Sequence, residues 1–224
     1  MSAIFPYIDK AISESKKPII VEIGVARGED TTKIIDRLAA HHKDTAYEYY
    51  GFEPDPRNIA TIKKERINHF IHLIPAAVGD ANKRATFHQS GGTNPEFGYE
   101  HSLSGSLKKP VNHLTAHPWC KFETTAEVRM VTLNAFFEMF SPTHIDFIWC
   151  DVQGAEDLVL AGGDFALAHT RYFYTEYYNH EMYQGQIPAA EIHRRLGPGW
   201  RVVEMWPYDI LFENTCQIKR SVSS

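Results

Sequence analysis

The segment Glu22-Ile23-Gly24-Val25-Ala26-Arg27-Gly28 sets two glycines four apart directly after an apolar run, and Phe52-Glu53-Pro54 sets a carboxylate after the next one. Glycines so spaced allow a tight turn and a close backbone approach at a helix amino terminus. Unpaired N–H groups there receive an anion, either a phosphate or the carboxylate of an amino acid. A carboxylate at the tip of the second strand accepts two hydrogen bonds from a ribose diol. Glu22 adds a second acid beside the turn, which a pyrophosphate repels and a sulfonium-bearing amino acid with a free ammonium group welcomes. The residues therefore favour S-adenosylmethionine over a nicotinamide dinucleotide, and the glycine spacing is not Gly-x-Gly-x-x-Gly. Thr31, in the first turn of the following helix, joins this set. Ala76-Ala77-Val78-Gly79-Asp80 offers small residues for a flat adenine slot, with Asp80 or a backbone group reaching the exocyclic amine; equally, Gly79-Asp80 is simply a turn.

Methyl transfer to an alcohol needs nucleophile, methyl carbon and sulfur in line, in a dry pocket, and a group that takes the hydroxyl proton. Asp151 and Glu176 follow apolar runs in the second half of the chain and overlook one crevice if those strands are neighbours. Asp151 is read as the principal catalytic or orienting acid. Glu176 is its partner, shares a divalent cation with it as a hard oxygen ligand, or merely caps a helix or pairs with Arg171. No metal site is assigned beyond that pair. Position prunes the twelve histidines. His144 and His169 precede strands, at the wrong end of the sheet, while His41 and His42 end a helix and face solvent. His113, His117 and Cys120 have metal-like spacing but lack a fourth ligand, so a surface loop is expected. His180 and His101 are left as alternative bases. Gln153, just past a strand end, Ser104, His101 and Tyr177 are expected on the substrate side, with Tyr178 and Tyr183 crowding the same exit loop. Glu156 reads as structural, in the first turn of a helix.

These positions depend on elements that alternate along the chain. Strands are expected at 19–24, 47–53, 70–74, 145–150 and 171–176, with helices between and after them at 30–39, from Pro56, at 155–167 and at 187–196. Closing strands are expected at 202–206 and 210–212. Such β-α-β order implies parallel strands with right-handed crossovers. The expected fold is a doubly wound, mostly parallel seven-stranded α/β sheet, Rossmann-like, in one domain of residues 1–224. Residues 1–17 carry an N-terminal helix. Between a short strand at 85–88 and another at 128–133 lies a polar stretch, and residues 89–124 read as a substrate or lid insertion. A net charge of −5 argues against nucleic acid as a partner, no apolar run approaches a membrane span, and three cysteines without a Cys-x-x-Cys pair fit a reducing cytoplasm. The partner expected is a small-molecule acceptor; oligomeric state is not legible.

In order, Val21-Glu22-Ile23-Gly24, Phe52-Glu53-Pro54, Ala76-Ala77-Val78-Gly79-Asp80, Val131-Thr132-Leu133 and Ile145-Asp146-Phe147-Ile148 running to Asp151-Val152-Gln153-Gly154-Ala155-Glu156 resemble the FkbM-type methyltransferases. The resemblance spans residues 19–176. It implies a class I methyltransferase fold, S-adenosylmethionine as donor, and O-methylation of hydroxyls on sugars or natural products. Glu22 stands where Asp is commoner, Trp149-Cys150 where Lys-Ile is usual, and Gln153 where Glu is frequent. Two other readings stand beside it. One is a nicotinamide-dependent oxidoreductase on a similar sheet. The other is a non-catalytic binding module that keeps the glycine turn and needs neither Asp151 nor Glu176.

Overall fold

The run after Pro18 forms β1 (Ile19–Ile23), buried at every position, as a strand covered on both faces must be. The structure, a computed structural model, describes residues 2–96 and 98–217. Before β1 lies α1 (Phe5–Ser13), whose Ile8, Ala11 and Ile12 are buried and whose Pro6 falls in the first turn, where a missing N–H costs nothing. After it come α2 (Glu29–His41), β2 (Glu48–Phe52), α3 (Pro56–Lys64) and β3 (His72–Ile74). Asp55 caps α3 by accepting from the Arg57 N–H at 2.9 Å. The middle of the chain forms β4 (Ala77–Val78), β5 (Lys83–Gly91), α4 (His113–Ala116) and β6 (Lys121–Val131). The second half adds α5 (Leu133–Phe140), β7 (Ile145–Cys150), α6 (Glu156–Ala161), α7 (Asp164–Ala168), β8 (Thr170–Glu176), α8 (Ala189–Leu196), β9 (Trp200–Met205) and β10 (Asp209–Asn214).

Seven strands make one sheet in the order β3-β2-β1-β7-β8-β10-β9. All neighbours from β3 to β8 are parallel, and β10 runs antiparallel to both β8 and β9. Strand order reverses between β1 and β7, so a crevice opens above their carboxyl ends. Alternate side chains feed two cores. Ile20, Tyr49, Phe147, Trp149 and Tyr172 pack with Ile8, Ile12, Ile34, Leu38 and Ile62 from α1, α2 and α3. Val21, Phe52, Ile148, Phe173 and Phe212 pack with Phe136, Val159, Leu167 and Ile192 from α5 to α8. Helices on both faces make the fold a doubly wound α/β sheet of the Rossmann-like class. Among the described residues no helix is long and apolar enough to cross a membrane.

Three expectations change in detail. The helix at 155–167 is two helices, broken at Gly162-Gly163. There Asn134 donates its N–H to the Gly162 carbonyl, while its side chain accepts from the Ala166 N–H, and the second helix starts afresh. The strand at 70–74 shortens to β3, an edge strand paired only with β2. The middle is far more regular than its polar sequence suggests. β5 and β6 form a long antiparallel hairpin that β4 joins in a second, three-stranded sheet with a small core of Ala77, Phe87, Val128 and Met130. Residues 89–91 and 121–124 of the expected insertion are strand residues of that hairpin.

Candidate cofactor and catalytic site

The crevice begins where β1 and β7 end. Gly24 and Val25 both donate to the Phe52 carbonyl at 3.0 Å, and Asp151 donates its N–H to the Ile23 carbonyl at 2.9 Å. Gly24 has φ +95, and a Cβ there would lie 1.8 Å from the Asp151 carbonyl oxygen. Only glycine satisfies both demands, so the first turn and the end of β7 touch through it. The next turn residue, Ala26, is held at φ +51 with its N–H aimed at Glu53.

Glu53 is buried and lines the cavity. Its Oε2 accepts from the Ala26 N–H at 2.7 Å; its Oε1 accepts from the Asp55 N–H at 2.8 Å and the Asn58 amide at 3.2 Å. Burial nevertheless pushes its carboxyl up to about 8, against those three donors. Ala76, Ala77 and Val78 also line the cavity, with Phe87, Leu103 and Leu107, and Phe87 and Leu107 pack with Ala77. Polar groups of Glu53, Asn58, Asp151 and Gln153 share the lining with these apolar side chains, the mixture a small-molecule site needs.

Segment 101–108 roofs it. Asn58 donates to the Ser102 carbonyl at 3.1 Å and accepts from the Ser102 hydroxyl at 2.6 Å. Gln89 donates to Asp55 at 2.9 Å, Arg57 to the Ser90 carbonyl at 2.8 Å, and the Ser104 N–H to the Ser90 hydroxyl at 3.0 Å. On the far side Lys108 pairs with Asp157 at 2.6 Å, and the Val111 N–H donates to the Met182 carbonyl at 2.8 Å.

Asp151 and Gln153 line the same cavity. The Gln153 amide donates to Asp151 Oδ1 at 2.7 Å and to Glu176 Oε2 at 3.0 Å, so the two acids at the ends of β7 and β8 meet as expected of neighbouring strands. Burial lifts Asp151 to about 6. Glu176 lies well above the usual carboxylate range, first through burial and then through the charges of Asp151 and Asp209. Among the described residues no group of three or more His, Cys, Asp or Glu side chains is arranged to hold a metal ion. An amide nitrogen occupies the place between Asp151 and Glu176 that a shared cation would take, so the pair as built does not fit that role.

Of the expected site residues, Gly24, Glu53, Ala77, Val78, Asp151 and Gln153 come together around the cavity, and Glu176 joins them through Gln153. Others stand elsewhere. Glu22, expected beside the ligand, points into the sheet's other face, where Thr31 and Tyr49 donate to it at 2.6 and 2.8 Å and burial raises it to about 7. Thr31 is spent on that bond, and Gly28 caps α2 against Ile67. Asp80 is exposed toward Lys83, 3.8 Å away, so the turn reading of Gly79-Asp80 holds.

On the substrate side, Tyr177 is a core residue whose hydroxyl donates to the Trp206 carbonyl at 2.9 Å. His101 and Ser104 pair with each other at 2.8 Å within the roof segment, with the His101 ring against Trp119. His180 is exposed beside Tyr178, away from the cavity lining. Two histidine expectations also change. His113 is buried in α4 between His117 and Tyr183 rather than on a surface loop, and His42 pairs with Asp9 at 3.0 Å. Asn58, Ala26, Phe87, Leu103 and Leu107 were not anticipated. An asparagine five residues after Glu53, one helical turn into α3, was the signal available for Asn58.

Comparison with known proteins follows the same outline. The profile of the family described as Methyltransferase FkbM domain matches residues 22–209. The 2-O-methyltransferase NoeI of Sinorhizobium fredii (strain NBRC 101917 / NGR234) is 34% identical over 211 residues, 92% of this chain and 83% of that protein. Among solved structures, methyltransferase FkbM from Methylobacillus flagellatus KT superposes with a TM-score of 0.52 at 15% identity, over 89% of this chain; the chain spans 44% of that one, and the likeness is one of fold.

Proposed function

Because this chain belongs to the FkbM methyltransferase family, we propose that it moves the methyl group of S-adenosylmethionine to a hydroxyl of a sugar or another small natural product. The observation that carries the reading is that Gly24, Glu53, Ala77, Val78 and Asp151 line one and the same cavity. An adenosyl group fits it in kind. Glu53 has oxygens that accept from a ribose diol, the apolar lining suits adenine, and the Gly24 turn admits a ligand backbone close to the sheet. When bound, the cofactor supplies an electrophilic methyl group on a positively charged sulfur.

The chain's residues do the rest. The Gly24–Asp151 junction fixes the distance between donor turn and acid. The roof excludes water, which strengthens charge interactions inside. Asp151, the lower of the two raised acids, accepts the proton of the acceptor hydroxyl, whose oxygen forms the new bond to carbon. Glu22 lies beneath the turn and contributes to it through Thr31 and Tyr49. The 2-O-methyltransferase name of the relative supports oxygen as the nucleophile. Cys120, Cys150 and Cys216 are all free thiols, which fits a cytoplasmic setting.

Calorimetry with S-adenosylhomocysteine against NADH tests the donor, with heat expected only for the first. Transfer of a labelled methyl group to a panel of uncharged glycosides, with and without a chelator, then tests the acceptor class and the role of a cation. Heat with NADH alone would replace the proposal with a nicotinamide reaction. Donor binding without transfer to any hydroxyl compound would leave a binding module.

A further inference from the structure

Gln153 occupies a costly backbone position, φ +51 for a residue with a side chain, directly after Val152 at the head of the cleft. What that position secures is visible in its hydrogen bonds. Its Nε2 donates to Asp151 at 2.7 Å and to Glu176 at 3.0 Å, while its Oε1 lies 3.1 Å from the hydroxyl of Tyr183. Both polar atoms of the amide are therefore used, in three hydrogen bonds. Tyr183 is 1% exposed, and its hydroxyl also reaches the Ser104 carbonyl of the roof at 2.8 Å. The neighbouring Gly154 has φ +88, and a Cβ there would lie 2.8 Å from the Tyr183 Cβ, so this approach depends on its lack of a side chain.

We propose that Gln153 is a positioning residue for methyl transfer: an uncharged crossbar that holds the carboxyl groups of Asp151 and Glu176 in one array facing the acceptor, with Tyr183 fixing which way the amide faces. The proposal rests on the methyl-transfer reading above and adds to it the device that sets its base. The charged and titratable groups facing the pair show what an amide does at this position. Asp209 on β10, Glu156 on α6, Asp30 on α2 and Glu22 on β1 are all acidic, and Tyr174, Tyr178, Tyr183 and the Cys150 thiol supply no positive charge. A glutamate at residue 153 would add a further negative charge to that field. An apolar residue would leave both acids without their shared donor, and a lysine would neutralise one of them outright. The amide satisfies both and neutralises neither. Two carboxyl groups held that close share their protons, one ionising before the other, and titrate as a pair. The ionised member takes the acceptor's proton.

The pair can be titrated directly by carbon-13 resonances of labelled side-chain carboxyls, assigned with D151N and E176Q. Q153M keeps the length and removes both hydrogen bonds to the ionised forms. Both titrations are expected to move up together, by about one pH unit or more. Y183F, which frees the amide to turn, is expected to move both in the same direction by less. A Q153M protein in which neither carboxyl moves, or only one does, overturns the proposal; a Y183F protein with wild-type titrations removes the tyrosine from it. If Q153M fails to fold, Q153L takes its place under the same two outcomes. Calorimetry with S-adenosylhomocysteine on the wild-type protein separates this result from the parent reading. Absence of heat there defeats the cofactor assignment, whereas unchanged titrations defeat the crossbar.

Discussion

Glu53 already accepts hydrogen bonds from Ala26, Asp55 and Asn58, yet its carboxyl remains raised to about 8. A ribose diol adds donors that favour the ionised form, so donor binding pulls its proton off. S-adenosylhomocysteine should therefore bind more tightly as pH rises from about 6 toward 8 and level off above it, releasing a proton as it binds. Calorimetry in buffers of different ionisation heat measures that release, and E53Q should abolish it. At the chemical end, D151N should keep donor binding and cut the rate of methyl transfer by about 10²–10⁴. Undiminished turnover would remove Asp151 from the mechanism. At this scale the sequence was most readable where a residue's place follows from strand order alone. Gly24, Glu53 and Asp151 stand at strand ends, and the rule for open sheets puts them together. Glu22 was misplaced because alternation along β1 turns residue 22 toward Thr31 and Tyr49, a face that its charge alone did not reveal. Tyr177 likewise looked like a substrate contact because the register against β10, which draws its N–H to the Tyr208 carbonyl, was not visible in advance.

Among the elements, the β5–β6 hairpin departs furthest from expectation. β6 has eleven residues, yet Lys121, Glu123, Thr124, Thr125, Glu127 and Arg129 are exposed, so the apolar alternation by which strands are recognised is confined to Ala126, Val128 and Met130 at its end. The hairpin is held by backbone pairing and by clasps to α3, not by a broad core. The buried strands of the main sheet, with their continuous apolar runs, were legible for the opposite reason. Segment 101–108 hangs from this hairpin and from loop 182–185. Hydrogen exchange along it should slow when S-adenosylhomocysteine and an acceptor are both bound, and equal exchange with and without them would count against a moving roof. Where β6 leads into α5, Thr132 accepts from the Ala135 N–H at 3.0 Å as a helix cap. T132A should cost about 1 kcal/mol in denaturant unfolding without altering donor affinity.

For the molecule as a whole, its buried acids set how stability follows pH. Glu22 and Glu156 are raised to about 7 and Glu53 to about 8, each chiefly by burial. A folded value above the unfolded one means that the folded state binds the extra protons. Their contribution is full below the usual carboxylate range and is lost as pH rises through 7 to 8. Asp9, Glu48 and Glu213 are lowered by cationic or hydroxyl partners and act in the opposite sense, losing their contribution as acid protonates them. The thermal midpoint should therefore peak in mildly acid solution and fall by pH 8.5. A flat profile from pH 6 to 8.5 would contradict the burial of these three groups.

A last consequence follows from Asn58, whose single amide is tied to Glu53 below and to Ser102 above. Floor and ceiling of the chamber are thus joined through one side chain, beside the roof's other bonds to Ser90 and Asp157, and a ligand that takes hold of Glu53 is expected to tighten the cover overhead. On the methyl-transfer reading, the two substrates should then enter in a queue, the nucleoside first and the alcohol second. An alcohol that binds the empty protein as firmly as the S-adenosylhomocysteine-filled one would break that queue.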